Sequence, residues 1–236
     1  MKNALILMTR VPIPGKTKTR LETHFTPEQC AKLHTCFIKD IYETASAVDA
    51  DIFVYYTPYK YRHILSGILG SKALLRPQID GGLGDRMLQT IKECLSEGYD
   101  KCLLIGTDIP TISEEMLTTA FFKLDENEIV VGPTFDGGYY LIGMKKAYNE
   151  IFDNTFYGVK SVFENTMLHI RNLGVSCSVI NEWYDIDTFT DLQYMIGMSE
   201  TKVCQIPDYT RMFLIKAGLL RCETDGEYEA YGKNAE

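Results

Sequence analysis

One stretch restricts this chain more than any other. Lys101–Pro110, KCLLIGTDIP, runs four apolar residues straight into Gly106-Thr107-Asp108 and a proline. Cys102–Ile105 is too short for a helix and apolar at every position, so neither face of an extended segment there is built to meet water. That pattern predicts a central strand of a parallel sheet, and with it an α/β fold. Asp108 then falls just past the strand's carboxyl end, the edge at which open α/β sheets collect ligands. A carboxylate there is placed to hold a metal ion or a polar substrate. The alternative, that Asp108 only caps the next helix, competes with Ser113, which is the better-placed cap.

The rest of the chain supplies the helices and strands such a sheet needs. Ala4–Met8 reads as the first strand, Asp51–Tyr56 as the second, Ala73–Arg76 as a short one, and Glu128–Gly132 and Val175–Ile180 as later ones. Thr26-Pro27-Glu28-Gln29 is a capping box with proline at the first helical position. It opens a long helix with Cys30, Leu33, Phe37, Ile38, Ile41, Ala45 and Val48 at helical spacing. Further helices are expected over 59–69, after the glycine-rich Gln78–Arg86 and up to Gly98, from Ser113 to about Leu124, over Lys160–Leu173, after Thr188, and over Tyr209–Leu219. Phe135–Met144, FDGGYYLIGM, puts a strand directly after a strand with only a turn between. This breaks the alternating βα rhythm and predicts one antiparallel strand in an otherwise parallel sheet.

At 236 residues the chain can bury one substantial core. We expect one α/β domain over 1–197 and a C-terminal extension over 198–236, helical at first, with Glu223–Glu236 polar and acidic enough for disorder. Lysine and arginine number 24 against 32 acidic residues, a net charge of −8. That balance disfavours long nucleic acid, whose phosphates demand a basic face, but not a small nucleotide. Cys30, Cys36, Cys94, Cys102, Cys177, Cys204 and Cys222 show no C-x-x-C pair and mostly sit at apolar positions, as reduced core cysteines do. No apolar run approaches the ~18 residues of a membrane span, and MKNALILMTR is too short for a signal peptide. A soluble, cytoplasmic protein is expected.

Against that acidic background, Met1–Leu21 carries Lys2, Arg10, Lys16, Lys18 and Arg20 and no acidic residue. Gly15-Lys16-Thr17 imitates the end of a P-loop, but that motif needs glycine five residues before Gly15, where Arg10 stands. What remains is a loop after a first strand, with a glycine and alternating cations, which suits a phosphate cradle. Asp108 and either Asp185 or Asp187, in YDIDTFTDL, flank the sheet edge. Mg²⁺ needs only one or two carboxylates beside substrate phosphates, so this pair is the candidate metal site. The alternative, that one of these aspartates caps the Thr188 helix or pairs with a lysine, applies to Asp185 more than to Asp187. Asp136-Gly137-Gly138-Tyr139 fits both an ordinary hairpin turn and a close approach to a ligand, with Asp136 as a base. Asp80–Arg86, DGGLGDR, has the same ambiguity at a helix start, a place that favours anions. His24, His34, His63 and His169 form no metal-ligand spacing.

Taken together, RVPIPGKTKTRL, GLGDRM, GTDIP, DGGYYLIG and DIDTFTDL, in this order, resemble the bacterial radical-SAM/selenodomain-associated transferases, a family of the GT-A superfamily of nucleotide-diphospho-sugar transferases. The resemblance covers roughly Met1–Ile196. It implies a GT-A, Rossmann-like, mixed but mostly parallel sheet sandwiched between helices. It also implies that Arg10, Gly15, Lys16, Lys18 and Arg20 hold nucleotide phosphates, with Gly84 and Asp85 near the base or ribose. On the same view Asp108 and Asp187 hold Mg²⁺ or Mn²⁺, Asp136, Gly137, Gly138 and Tyr139 face the acceptor, and Asp108, Asp136, Lys18 and Arg20 are catalytic. Two departures stand out. Glycosyltransferases of this fold often carry D-x-D where this chain has Gly106-Thr107-Asp108, and Tyr157-Gly158 replaces a usual tryptophan and glycine. Lys18-Thr19-Arg20-Leu21 also resembles the loop of phospholactate guanylyltransferases.

The leading expectation is therefore sugar transfer from a nucleotide-diphospho-sugar to a small acceptor. The alternative is nucleotidyl transfer from an NTP to a phosphorylated acceptor with release of pyrophosphate. A third reading is nucleotide binding without turnover. The expected partners are the donor, the small acceptor and, as an open question, a second copy of the chain in a homodimer.

Overall fold

The computed structural model describes residues 1–153 and 161–221. Tyr157, Gly158, Lys160, Cys222 and the acidic tail over 223–236 lie outside the described residues.

Seven strands form one sheet in the order β3-β2-β1-β4-β6-β5-β7. They are β1 (Asn3–Arg10), β2 (Asp51–Thr57), β3 (Leu74–Pro77), β4 (Lys101–Gly106), β5 (Ile129–Pro133), β6 (Tyr139–Met144) and β7 (Cys177–Val179). The stretch that reads as a central strand is the middle strand of the seven. β1 runs parallel to β2 and β4, β2 to β3, and β5 to β7. β6 alone is reversed, pairing antiparallel with both β4 and β5.

The helices are α1 (Pro27–Ser46), α2 (Arg62–Leu69), α3 (Leu83–Ser96), α4 (Glu114–Glu126), α5 (Asn149–Phe152), α6 (Val162–Leu173), α7 (Phe189–Glu200) and α8 (Asp208–Lys216). Their caps follow the sequence. Thr26 and Gln29 exchange their side chains for each other's backbone N–H groups at the start of α1, and Ser113 Oγ accepts from the Met116 N–H at 3.1 Å. Three details differ. The helix expected over 59–69 begins as a short 3-10 turn, Tyr59–Tyr61, after Pro58. α3 begins at Leu83, inside the glycine-rich stretch, where Asp85 in its first turn reaches back to accept from the Gly82 N–H at 3.1 Å. The last strand is the three residues Cys177–Val179 at the sheet's edge, and beyond it Ile180 N–H still donates to Val131 O at 3.0 Å.

The described chain divides into two compact units. The first comprises Met1–Val11, Thr44–Gly106 and Ile112–Tyr184, and contains the whole sheet. One face of that sheet contributes Ile6, Phe53, Tyr55, Leu104, Val131 and Ile142 to a core with Met87 and Ile91 of α3 and Ile170 of α6. On β4 the burial continues on both sides, since Cys102, Leu103 and Ile105 are wholly inaccessible. Gly143 on β6 shows how close the strands lie: a β-carbon there would meet the Leu103 side chain and come within 2.8 Å of Val130. The second unit comprises Pro12–Glu43, Thr107–Thr111 and the described part of Asp185–Glu236. Its C-terminal helix α8 starts after Pro207, which offers no side-chain cap. The buried Asp40 of α1 takes that role, accepting from Tyr209 N–H at 2.9 Å, Thr210 N–H at 2.9 Å and Thr210 Oγ1 at 2.6 Å.

Cys30, Cys36, Cys94, Cys102, Cys177 and Cys204 carry free thiols. No described helix is long and apolar enough to cross a membrane.

Candidate functional site

Three segments far apart in sequence build the candidate site within the second unit. The first is the basic loop. Gly15 takes a left-handed conformation, φ 71°, in a turn closed by Lys16 N–H donating to Ile13 O at 3.0 Å. Lys18 is also left-handed, at φ 51° and ψ 38°, unusual for a residue with a β-carbon. From there the chain enters a 3-10 turn, Thr19–Thr23, with Leu21 N–H donating to Lys18 O at 2.9 Å. The second segment is Thr107–Thr111, just past β4. The third is Asp185–Thr188, leading into α7. Ile186 N–H donates to Asp108 O at 2.7 Å and so joins the last two segments by their backbones.

Lys18 completes the assembly. Its side chain is only 4% exposed, and its ammonium lies 2.6 Å from Asp108 Oδ1 and 2.9 Å from Asp187 Oδ1. It also donates to the Ile186 carbonyl. An ammonium has three N–H donors, and these contacts use all three. Burial opposes the charged form of Lys18, but the two carboxylates outweigh it and hold its pKa above that of an ordinary lysine. Asp108 and Asp187 keep side-chain exposures of 46% and 40%. His34 of α1 brings Nδ1 to 3.8 Å from Asp108 Oδ1. Arg20, largely exposed, has Nη1 3.5 Å from Asp187 Oδ2. Lys16 and Arg20 are thus presented to solvent while Lys18 is held inside.

Local packing fixes this arrangement. Thr188 and Asp191 form a capping box at the start of α7, and Asp187 N–H donates to Asp191 Oδ2 at 3.0 Å. The cap is therefore Thr188 with Asp191, which leaves the Asp187 carboxylate for Lys18. Phe189, the first residue of α7, stacks face to face on His24 with ring centroids 3.8 Å apart. The ring pair clamps the end of the 3-10 turn that carries Arg20 to the helix start that carries Asp187.

Asp108 and Asp187 are hard oxygen donors that both reach one cation, here the lysine ammonium, which stands for any cation the two could share. Their chemistry fits Mg²⁺ or Mn²⁺. Among the described residues, no group of three or more His, Cys, Asp or Glu converges to hold a metal. A cation on this pair would complete its shell from substrate oxygens and water, the usual manner for Mg²⁺.

The remaining expected residues lie in the first unit. Arg10 ends β1 and is exposed. Gly84 is buried in the first turn of α3, and Asp85 Oδ2 accepts from Gly82 N–H at 3.1 Å. Arg86 donates to Gln78 Oε1 at 3.0 Å. Burial, and then the positive charge of Arg10, depress the Arg86 pKa. In the β5–β6 turn, Asp136 Oδ1 accepts from Thr134 Oγ1 at 2.5 Å and from Gly138 N–H at 3.1 Å. Gly137 has φ 90°, and its carbonyl accepts from Phe163 N–H at 2.9 Å. The hairpin thus employs one oxygen of Asp136 to hold its own shape. Tyr139 extends its hydroxyl to Met87 Sδ at 3.9 Å.

The sequence offers a lysine partner for Asp185 or Asp187 only as a lesser alternative. It does not single out Lys18 as the shared partner of both carboxylates, nor the His24–Phe189 stack.

Residues 40–159 match the protein family described as uncharacterized proteins conserved in bacteria, DUF2064. No curated protein matches the chain. A protein of Desulfovibrio desulfuricans G20, provisionally named a nucleotide-diphospho-sugar transferase, superposes with a TM-score of 0.86 at 28% identity, covering 92% of this chain and 95% of its own. CMP:2-keto-3-deoxy-manno-octonic acid synthetase complexed with CTP superposes at 0.56 and 12% identity, covering 86% of this chain and 100% of its own. The 4-diphosphocytidyl-2C-methyl-D-erythritol synthase of Anaerococcus prevotii DSM 20548 gives 0.55 and 14%, covering 83% and 95%. The last two likenesses show a shared fold.

Proposed function

The chain belongs to the DUF2064 family, and from that premise we propose that it is a transferase acting on a nucleotide donor, with sugar transfer from a nucleotide-diphospho-sugar to a small acceptor as its reaction. The observation that carries this reading is the convergence of Asp108, Asp187, Lys18 and Arg20 at the end of the central strand. Such a cluster pairs anionic ligands for a cation with cationic ligands for phosphate, the two requirements of a diphosphate leaving group. The name carried by the similar Desulfovibrio protein points the same way.

In this reading each residue has a defined task. Arg20, exposed and forked, grips phosphate oxygens in pairs, and Lys16 adds a second exposed cation from the Gly15 turn. Asp108 and Asp187 would hold Mg²⁺ or Mn²⁺, which supplies charge neutralisation of the diphosphate when bound. Gly84 and Asp85 take the base or ribose at the start of α3, and Arg10 supports the phosphate side. Asp136, through the carboxylate oxygen not engaged by Thr134 and Gly138, serves as the acceptor-side base, with Gly137, Gly138 and Tyr139 beside it.

One specific observation favours a second reading, nucleotidyl transfer. The end of β4 supplies a single carboxylate, in Gly106-Thr107-Asp108, and its partner Asp187 comes from a distant segment. Two proteins that share the fold are, by name, a synthetase complexed with CTP and a diphosphocytidyl synthase. The products separate the readings. The protein is incubated with each NDP-sugar and each NTP in the presence of Mg²⁺, water serving as the slow acceptor. Release of NDP that Asp108→Asn abolishes supports sugar transfer. Release of pyrophosphate from an NTP transfers the assignment to nucleotidyl transfer, and no turnover with any donor refutes both.

A further inference from the structure

Lys18 meets two demands that it cannot satisfy together. The proposed function asks it to face a donor phosphate, while the structure spends all three of its N–H donors on Asp108, Asp187 and the Ile186 carbonyl. The same ammonium occupies the place that a cation shared by the two carboxylates would take. We propose that Lys18 and a divalent cation are alternative occupants of the Asp108–Asp187 pair. The lysine is the site's resident counter-ion and turns outward to a phosphate oxygen only when a divalent cation replaces it. This inference rests on the proposed function for the identity of the phosphate-bearing donor, but its first half concerns only the carboxylates and the two cations.

Three features of the site support the exchange. The backbone of Lys18 is pinned, by its left-handed geometry and by the Leu21 N–H to Lys18 O bond that opens the 3-10 turn. Exchange therefore needs only rotation about the four-carbon stem, which keeps the side chain within reach of ligands at the loop. The ammonium stays at 5.6 Å from the Phe37 ring centroid, a position in which the stem is packed but the head is held by charge. Finally, the exchange balances charge at both ends. Without a partner cation, two carboxylates this close would repel one another. With a divalent cation bound and Lys18 retained between them, two positive centres would share one seat. Metal and donor binding thereby become coupled, since the arriving cation frees the lysine and the donor phosphate gives the freed lysine a partner.

The test is a titration of Mn²⁺ into the whole protein without nucleotide, followed by electron paramagnetic resonance and calorimetry, for wild type, Lys18→Met and Asp108→Asn. Wild type binds weakly, because each Mn²⁺ must displace the ammonium. Lys18→Met is expected to bind at least about tenfold more tightly, the equivalent of about 1.4 kcal/mol. Equal or weaker binding by Lys18→Met overturns the proposal. Should Lys18→Met fail to fold, the side-chain ¹⁵N resonance of Lys18 in wild type gives the answer. It is expected to shift on saturation with Mg²⁺, and a resonance unmoved by Mg²⁺ that demonstrably binds overturns the proposal equally. Asp108→Asn separates this inference from the reading beneath it. If Mn²⁺ binds that variant as well as wild type, the carboxylates are not the metal ligands and the metal part of the proposed function fails with the exchange. If Asp108→Asn loses Mn²⁺ while Lys18→Met gains nothing, only the exchange fails.

Discussion

Neutralising the two carboxylates around Lys18 one at a time and then together should give strongly non-additive losses of stability. Asp108→Asn and Asp187→Asn each keep an acceptor oxygen near the ammonium while removing one charge. Because each carboxylate is 46% or 40% exposed and the other remains in place, each single change is expected to cost about 1 kcal/mol. The double variant leaves a lysine whose side chain is 4% exposed with neutral acceptors only. Stranding a buried charge costs about 3–5 kcal/mol, and the exposed rim of this site puts the loss near the lower end, ~3 kcal/mol. The double change should thus exceed the sum of the singles by about 1 kcal/mol, a coupling of the size expected of residues sharing one partner. Lys18→Met in the double background should restore most of the loss by removing the stranded charge. Urea unfolding measures this directly: at ~2–3 kcal/mol/M for the slope, 3 kcal/mol moves the midpoint by about 1 M. A double variant that costs no more than the sum of the singles, or a methionine that restores nothing, would refute the shared ion pair.

Other consequences are equally direct. Asp40→Ala removes the only side chain that caps α8 among the described residues, with three hydrogen bonds lost. It should cost about 2 kcal/mol in thermal or urea unfolding, and a loss under about 0.5 kcal/mol would contradict that role. Burial raises the pKa of Asp40 above the ordinary carboxylate value, although its bonds from Thr210 and Tyr209 partly offset this. A raised folded pKa gives a contribution that is full at low pH and fades as pH rises through it. The stability of wild type relative to Asp40→Asn should therefore fall as pH rises through the range just above the usual carboxylate pKa; a difference that grows with pH contradicts the sign. Gly143→Ala forces a methyl against Leu103 and Val130 and should cost about 2–3 kcal/mol, read as a lowered melting temperature, whereas a neutral effect would mean the strands can part there.

The sheet was the legible part of this protein. Cys102–Ile105 announced a strand buried on both faces, and it became the centre of seven. The turn at Asp136-Gly137-Gly138 announced a strand following a strand, and β6 is the one reversed strand. Thr26, Ser113 and Thr188 marked helix starts because capping is local chemistry. What escaped was chemistry made by distance in the chain. Lys18 lies 169 residues before Asp187, and no local pattern tells a lysine in a basic loop that its charge will be spent on carboxylates rather than offered to phosphate. His24 and Phe189 meet only because α7 starts where the 3-10 turn ends, and Asp40 caps a helix that begins far beyond it. The start of α3 inside a glycine-rich stretch was hidden for the opposite reason: glycines suggested a loop, while Asp85 supplied a cap.

The central claim, a nucleotide donor held with a divalent cation at Asp108 and Asp187, is tested most directly by ligand-dependent melting. NTPs, NDPs and NDP-sugars are compared with and without Mg²⁺ or Mn²⁺, in wild type and in Asp108→Asn. A ligand present at a hundred times its dissociation constant adds about 2.7 kcal/mol to stability, a clear rise in melting temperature. NDP-sugars are expected to stabilise wild type most, the cation to strengthen the effect, and Asp108→Asn to lose the cation's share. No shift with any nucleotide, or a shift indifferent to cation and to Asp108, would contradict it.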